Sequence, residues 1–279
     1  LQGVMGRYYA LHDGEDAAVA DAIRDHYAPK GPGDDVPTDP VGIAVALADK
    51  FYSLAAFFSI GEKPTGSGDP FALRRAALGL IRIIRENGLR LAVRQLLETA
   101  AGRGHAEEVL IFLAERLRVQ MRVEGARHDV LAAVLGTGLD DDFVRVLART
   151  DAVTAFLATE DGADLLTAYR RAANILRIEE KKDGPHDGPV DAALLRLPEE
   201  EHLAAVLDRV EPEIAAAIQG EAFAAAMAGL AALRPSLDGF FDRVTVNDTQ
   251  SELRHNRLRL LARVRAAMNL AADFSRIEG

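Results

Sequence analysis

The chain has 279 residues, enough for about two domains, and 49% of them are apolar, so a sizeable core can be buried. A formal charge of −10 excludes a protein that coats nucleic acid by bulk charge, though not one that grips it through a local basic face. The absence of cysteine excludes disulfides and thiolate metal sites and fits a reducing compartment.

Aromatic residues make up only 6%, there is no tryptophan, and alanine and leucine abound, which favours helix over strand. The predicted fold class is all-α. No apolar run reaches the roughly 18 residues of a membrane span, and no charged-then-apolar leader opens the chain. The sequence starts at Leu1 rather than Met and reads as a piece of a longer protein.

In chain order, Leu1–Ala10 is compact and rich in small and aromatic residues. A His12-Asp13 dipeptide follows. Such a pair holds metal in some phosphohydrolases, but one His and one Asp are not a ligand set. The simpler reading is the turn that starts a helix over Asp16–Tyr27. Residues 29–40 form a loop dense in Pro, Gly and Asp. A helix is predicted over Val41–Ile60, with Asp49-Lys50 inside an otherwise apolar run. A carboxylate there is costly to bury unpartnered. Asp49 is either paired with Lys50 at the rim of the core or the remnant of an active site.

The stretch 60–89 is a Gly/Pro/Ser-rich loop running into a strongly punctuated helix. Asp69 suits an N-cap, Pro70 the first helical position, and Asn87-Gly88 a C-terminal stop. At 100° per residue, Leu73, Ala77, Leu80 and Ile84 share a core face, while Arg74, Arg75, Arg82 and Arg85 gather on the other. The loop is not a Walker motif, because Lys63 comes too early and a helix precedes it. A further helix covers 90–100. The break Gly102-Arg103-Gly104 is the expected domain boundary, dividing the chain into 1–103 and 104–279. Beyond it the apolar period predicts helices near 105–122, 127–136, 140–158 and 161–182. The link 181–190 is irregular, and helices follow at 198–218, 221–232, 235–246 and 250–275. Neither a convincing strand period nor an internal repeat appears.

Two helices carry basic faces. On 161–182, Leu165, Tyr169, Ala172 and Leu176 form the core side, and Arg170, Asn174 and Arg177 share another. On the last helix, Leu253, Leu260, Leu261, Val264, Met268 and Ala271 form the core side, with Asn256, Arg259 and Arg263 opposite. Between 254 and 276 there are six arginines against one aspartate, a local reversal in an acidic chain. Guanidinium forks pair with phosphates or stack on splayed bases, and amides read base edges. A solvated face with arginines compensating a helix C-terminus fits the same pattern.

The runs Leu1–Ala10, Ala48-Asp49-Lys50, Ile60–Gly79, Arg170–Leu176, Phe240–Asn247 and Asn256–Leu261 together resemble the β subunit of bacterial tetrameric glycyl-tRNA synthetase, over its C-terminal part. The resemblance implies a cytoplasmic α2β2 assembly in which the α subunit makes glycyl-adenylate with ATP and Mg, and the β subunit supplies most of the grip on tRNA-Gly. It implies that 1–103 is the later part of an HD-like helical domain. Residues 104–279 would be connecting helices and a DALR-like anticodon-binding domain. No catalytic residue, metal site or cofactor is expected in this part. Asp49 falls where the last metal-binding Asp of HD enzymes lies, without its partners. Candidate tRNA contacts, chosen by face within that domain, are Arg170, Arg171, Asn174, Arg177, Asn256, Arg257, Arg259 and Arg263. The face of Arg74, Arg75, Arg82 and Arg85 is a second candidate, for the tRNA body or the partner subunit. An HD-type phosphohydrolase and a purely protein-binding scaffold are the alternatives.

Overall fold

The computed structural model describes every residue except Gly102 and Gly279. The expected break at 102–104 therefore falls partly outside the described residues. Among those residues there is no strand, only an isolated bridge between Thr65 and Gly68, and the fold is all-α. The chain divides into two compact units, residues 1–128 with 139–146, and residues 129–138 with 147–279.

The first unit contains α1 (Val4–His12), α2 (Ala17–Asp25), α3 (Pro40–Ser59), α4 (Leu73–Glu86), α5 (Val93–Ala101) and α6 (Arg103–Val123). α6 follows the expected boundary, yet it packs on α3, α4 and α5 within this unit. α1 is a helix that the small and aromatic residues of 1–10 did not announce. It lies close on α2 because Gly3 and Gly6 have no side chain; a Cβ at Gly3 would meet the Arg24 carbonyl at 2.6 Å. His12 is the last residue of α1, and Asp16 caps α2 by accepting from Ala18 N–H at 2.8 Å.

α3 is the centre of the unit, touching α2, α4, α5 and α6. An 18-residue window of this 20-residue helix has a mean hydropathy of 1.6, so by length and composition it alone among the described helices is apolar enough to cross a membrane. This corrects the expectation that no apolar run reaches membrane length: Asp49 and Lys50 are the only charged residues in α3 and do not break it. Core packing accounts for that apolarity, with Ala46, Phe51, Leu54, Ala55 and Phe58 buried between neighbouring helices. The expected costly carboxylate is reversed. Asp49 is exposed, and Lys50 is the buried member. The Lys50 ammonium donates to the carbonyls of His26 at 2.8 Å and Ala28 at 3.0 Å, just past the C-terminus of α2. Burial lowers its pKa, and the charge of Asp49 opposes that shift.

α4 starts later than expected. Asp69 to Ala72 form a turn, and Ala72 takes a left-handed conformation at φ 54°. The Asp69 carboxylate still caps the helix, accepting from Leu73 N–H at 2.8 Å and Arg74 N–H at 3.0 Å. Leu73, Ala77, Leu80 and Ile84 are all buried as the period required. At the other end Gly88 has φ 62°, and Leu89 N–H returns to the Ile84 carbonyl at 2.9 Å, closing the helix. Residues 139–146 join this unit by capping α5: the Asp141 carboxylate accepts from Arg94 N–H at 2.9 Å.

The second unit contains most of α7 (His128–Gly136) and of α8 (Phe143–Leu157), and α9 (Glu160–Asp183), α10 (Pro198–Gln219), α11 (Phe223–Ala231), α12 (Arg234–Arg243) and α13 (Ser251–Asn269), with short 3-10 turns at 192–194 and 274–276. α9 packs on α13 and α12, and α10 packs on α11, α12 and α13. Tyr169, Phe240, Leu207, Leu260 and Phe274 are among the fully covered core side chains. Arg149 of α8 donates to the carbonyls of Leu270 at 2.6 Å and Ala271 at 2.5 Å, filling the open acceptors beyond the α13 C-terminus.

Candidate nucleic-acid interface

α9 sets the geometry of the site. Thr159 caps it, its hydroxyl accepting from Gly162 N–H at 3.1 Å. Leu165, Tyr169, Ala172 and Leu176 are buried, and that fixes which residues point outward. Arg171, Asn174 and Arg177 are exposed. Arg177 donates to the Asn174 amide oxygen at 2.6 Å, so both are presented as one polar unit. Arg171 lies over the Phe241 ring, 4.3 Å from its centroid, which holds the guanidinium plane without cancelling its charge. Arg170 is half-buried and donates to the Ile277 carbonyl at 3.0 Å, tying the chain end to α9.

Lys181 extends the stripe. It is exposed, it follows Arg170, Asn174 and Arg177 at helical spacing, and no ion pair engages it among the described residues. The expected basic face stops at Arg177, and Lys181 lies where the expected helix 161–182 overlaps the expected link 181–190. The same 3.6-residue period that picked the other three would have found it. The stripe has an acidic edge: Asp161, Asp164 and Asp238 surround Arg234, which pairs with all three.

α13 differs from its sequence pattern. Its predicted core positions Leu253, Leu260, Leu261, Val264 and Met268 are buried, as is Ala271 just beyond the helix, and the opposite side is covered too. Asn256 is buried; its amide accepts from Asp191 N–H at 2.8 Å and donates to the Asp191 carbonyl at 3.0 Å, pinning the link before α10. Arg257 is 5% exposed and meets Glu200 at 2.5 Å, Asp248 at 2.6 Å and the Thr245 carbonyl at 2.9 Å. Arg263 pairs with Asp208 at 2.9 Å and Glu211 at 2.7 Å. Arg254 pairs with Glu179 and Asp183, and Arg265 with Glu180 at 2.8 Å. Arg259 donates to the Pro189 carbonyl at 3.3 Å and packs against Gly188.

The local excess of arginine is therefore matched by carboxylates from α9, α10 and the loop before α13. Asn256 and Arg257 are tied into helix packing and are not placed to meet RNA. Arg263 reaches RNA only by giving up two carboxylates. Arg259 is half-exposed and keeps an unmatched charge. Lys182, Arg254 and Asn247 converge on buried Glu179 and hold its carboxyl down at about 2.

The first-unit arginines are likewise mostly held. Arg74 donates to the Gly66 carbonyl at 2.7 Å, Arg82 pairs with Glu86 at 2.7 Å, and Arg85 grips Glu124 through two bonds at 3.0 and 2.9 Å. Arg75 is exposed, without a charged partner among the described residues. No group of three His, Asp or Glu side chains among the described residues is arranged to hold a metal ion.

Residues 165–277, which include most of α9 and all of α10 to α13, match a family model described as the DALR anticodon binding domain. Residues 1–136 match one described as the glycyl-tRNA synthetase beta subunit. The chain is 54% identical over 288 aligned positions to the glycine–tRNA ligase beta subunit of Rhodospirillum centenum, covering all of this chain and 40% of that one. It is 51% identical to that of Phenylobacterium zucineum and 49% identical to that of Paracoccus denitrificans, covering 40% and 41% of those proteins. The chain belongs to the glycyl-tRNA synthetase β-subunit family and spans about 40% of the length of these relatives.

Proposed function

We propose that this chain is the tRNA-binding part of a glycine–tRNA ligase β subunit, and that it recognises the anticodon region of tRNA-Gly through the outward face of α9. The observation that carries the reading is the coincidence of an anticodon-binding family match over 165–277 with uncommitted cations, Arg171, Arg177 and Lys181, on one face of its leading helix. Single-stranded loops suit this face, because arginine stacks on splayed bases and the Asn174 amide reads an edge. Arg259 is a secondary phosphate contact at the Pro189 link. Glycylation is carried out with an α subunit that supplies the ATP- and Mg-dependent chemistry, in an α2β2 assembly in the cytoplasm, and this part takes no catalytic role of its own. The first unit is the HD-like domain. The alternative of a metal-dependent phosphohydrolase finds no ligand set among the described residues in its support.

The test is a nuclease footprint of tRNA-Gly against this chain, with and without the α subunit. Protection of the anticodon loop by this chain alone supports the reading. Protection confined to the acceptor arm, or none until the α subunit is added, contradicts it.

A further inference from the structure

A cavity of about 300 Å³ opens in the first unit between the Pro29–Pro32 segment and the first half of α4. Its lining carries four cations, Lys30, Arg74, Arg75 and Arg82, against one carboxylate, Asp69. In a chain of net charge −10 that concentration is unusual. Two of the guanidiniums are held in place by neutral acceptors. Arg74 donates to the Gly66 carbonyl at 2.7 Å, and Arg82 to those of Gly31 at 3.0 Å and Asp34 at 2.8 Å. A carbonyl orients a guanidinium without cancelling its charge. Arg82 also meets Glu86, and the Asp34 carboxylate accepts from Lys30 N–H at 2.8 Å. Asp69 has both oxygens committed to the first N–H groups of α4. The side chains of Lys30 and Arg75 are exposed, with no acid partner among the described residues.

The floor is apolar, built from Pro29, Pro32, Leu78 and Gly79. Gly79 keeps α4 flush with that floor, because a Cβ there would meet the Lys50 Cε at 2.9 Å and the Pro29 Cδ at 3.5 Å. Gln120 brings an amide to the rim, its nitrogen donating to the Glu124 carboxylate at 2.6 Å, so that its oxygen is the group that faces a ligand. A flat apolar floor, an amide and two unmatched cations are the complement of a base joined to a phosphate. The volume sits at the low end of ligand pockets, about 300–1,000 Å³.

We propose that this pocket takes one nucleoside monophosphate unit, its base on the Pro29–Leu78 floor and its phosphoryl group between Lys30 and Arg75. The unit comes either from a free mononucleotide or from a nucleotide splayed out of single-stranded RNA. The assignment does not depend on the α9 interface.

The test is calorimetric titration of this chain with inorganic phosphate, the four nucleoside monophosphates and a single-stranded RNA pentanucleotide. At least one mononucleotide is expected to bind at one site, tenfold or more tighter than inorganic phosphate. Arg75→Glu and Lys30→Glu each weaken it at least tenfold, and Arg75→Gln does so less steeply. Arg209→Glu, at an exposed position of α10, leaves it unchanged, and circular dichroism shows all variants folded. A pentanucleotide that binds tenfold tighter still, and that the mononucleotide displaces, assigns the site to RNA; one that binds no tighter assigns it to free nucleotide. Absence of mononucleotide binding, binding matched by phosphate alone, or binding untouched by both charge reversals overturns the proposal. Failure of the α9 reading shows instead in tRNA titrations of α9 variants, which leave this pocket intact.

Discussion

Arg257→Met separates structural arginines from RNA-binding ones. Arg257 is 5% exposed and Glu200 1%, and their ion pair closes at 2.5 Å. Glu200 also accepts from Arg196 N–H at 2.6 Å and Leu197 N–H at 2.8 Å, so its carboxylate stays buried when the arginine is gone. Removing one partner of a buried pair costs about 3–5 kcal/mol. For a unit of this size each kcal/mol lowers Tm by about 2–4 °C, so the expected fall is about 6–20 °C. Arg257→Lys keeps the charge but loses the fork that reaches Thr245, Asp248 and Glu200 together, and falls part of the way. Adding Glu200→Gln to Arg257→Met recovers part of the loss, because the stranded charge is removed. The assays are thermal unfolding by circular dichroism and tRNA-Gly affinity at a temperature where the variant is folded. An unchanged Tm with a tenfold weaker affinity would refute the reasoning.

Three further outcomes follow from the packing. Gly162→Ala places a Cβ 2.0 Å from the Phe156 carbonyl, so the α8–α9 turn must shift; a loss of about 1–3 kcal/mol in urea unfolding is expected. Ala72→Gly relieves the left-handed φ of 54° and raises stability by up to about 1 kcal/mol, measured the same way. The Glu179 carboxyl lies below its ordinary value of 4.5, at about 2, so its contribution is fully present above pH 4.5 and is lost as pH falls from there toward 2. Urea unfolding across that window shows the loss, and Glu179→Gln flattens the curve there while lowering stability at pH 7.

The helical class and the inner faces of α4, α9 and α13 were legible in the sequence, because burial imposes the 3.6-residue period directly on the apolar residues. The stop at Asn87-Gly88 was legible for a different local reason, the ease with which glycine takes the left-handed conformation seen at Gly88. Long-range pairing was not. The arginines of α13 read as a basic surface because their counterions lie far away in sequence: Glu179 is 75 residues from Arg254, Glu200 57 from Arg257 and Asp208 55 from Arg263. Burial of Lys50 rather than Asp49 depended on the carbonyls past the end of α2, more than 20 residues upstream. On α9 the cations stay unpaired because no carboxylate among the described residues forms an ion pair with Arg171, Arg177 or Lys181, although Asp238 and Asp242 of α12 lie beside Arg171.

The central claim, that the outward face of α9 meets tRNA-Gly, is tested most directly by the affinity of the Arg171→Glu/Arg177→Glu double variant across a salt series. Two lost phosphate contacts make the slope of log affinity against log salt shallower by about 1.4–1.8, since each contributes about 0.9 for a duplex and about 0.7 for a single strand. The account predicts an affinity at least tenfold weaker at low salt, a slope shallower by about 1.4–1.8, and a Tm lowered only by the loss of the Arg171–Phe241 contact, about 1–4 °C. An unaltered affinity and slope in the folded double variant would contradict it.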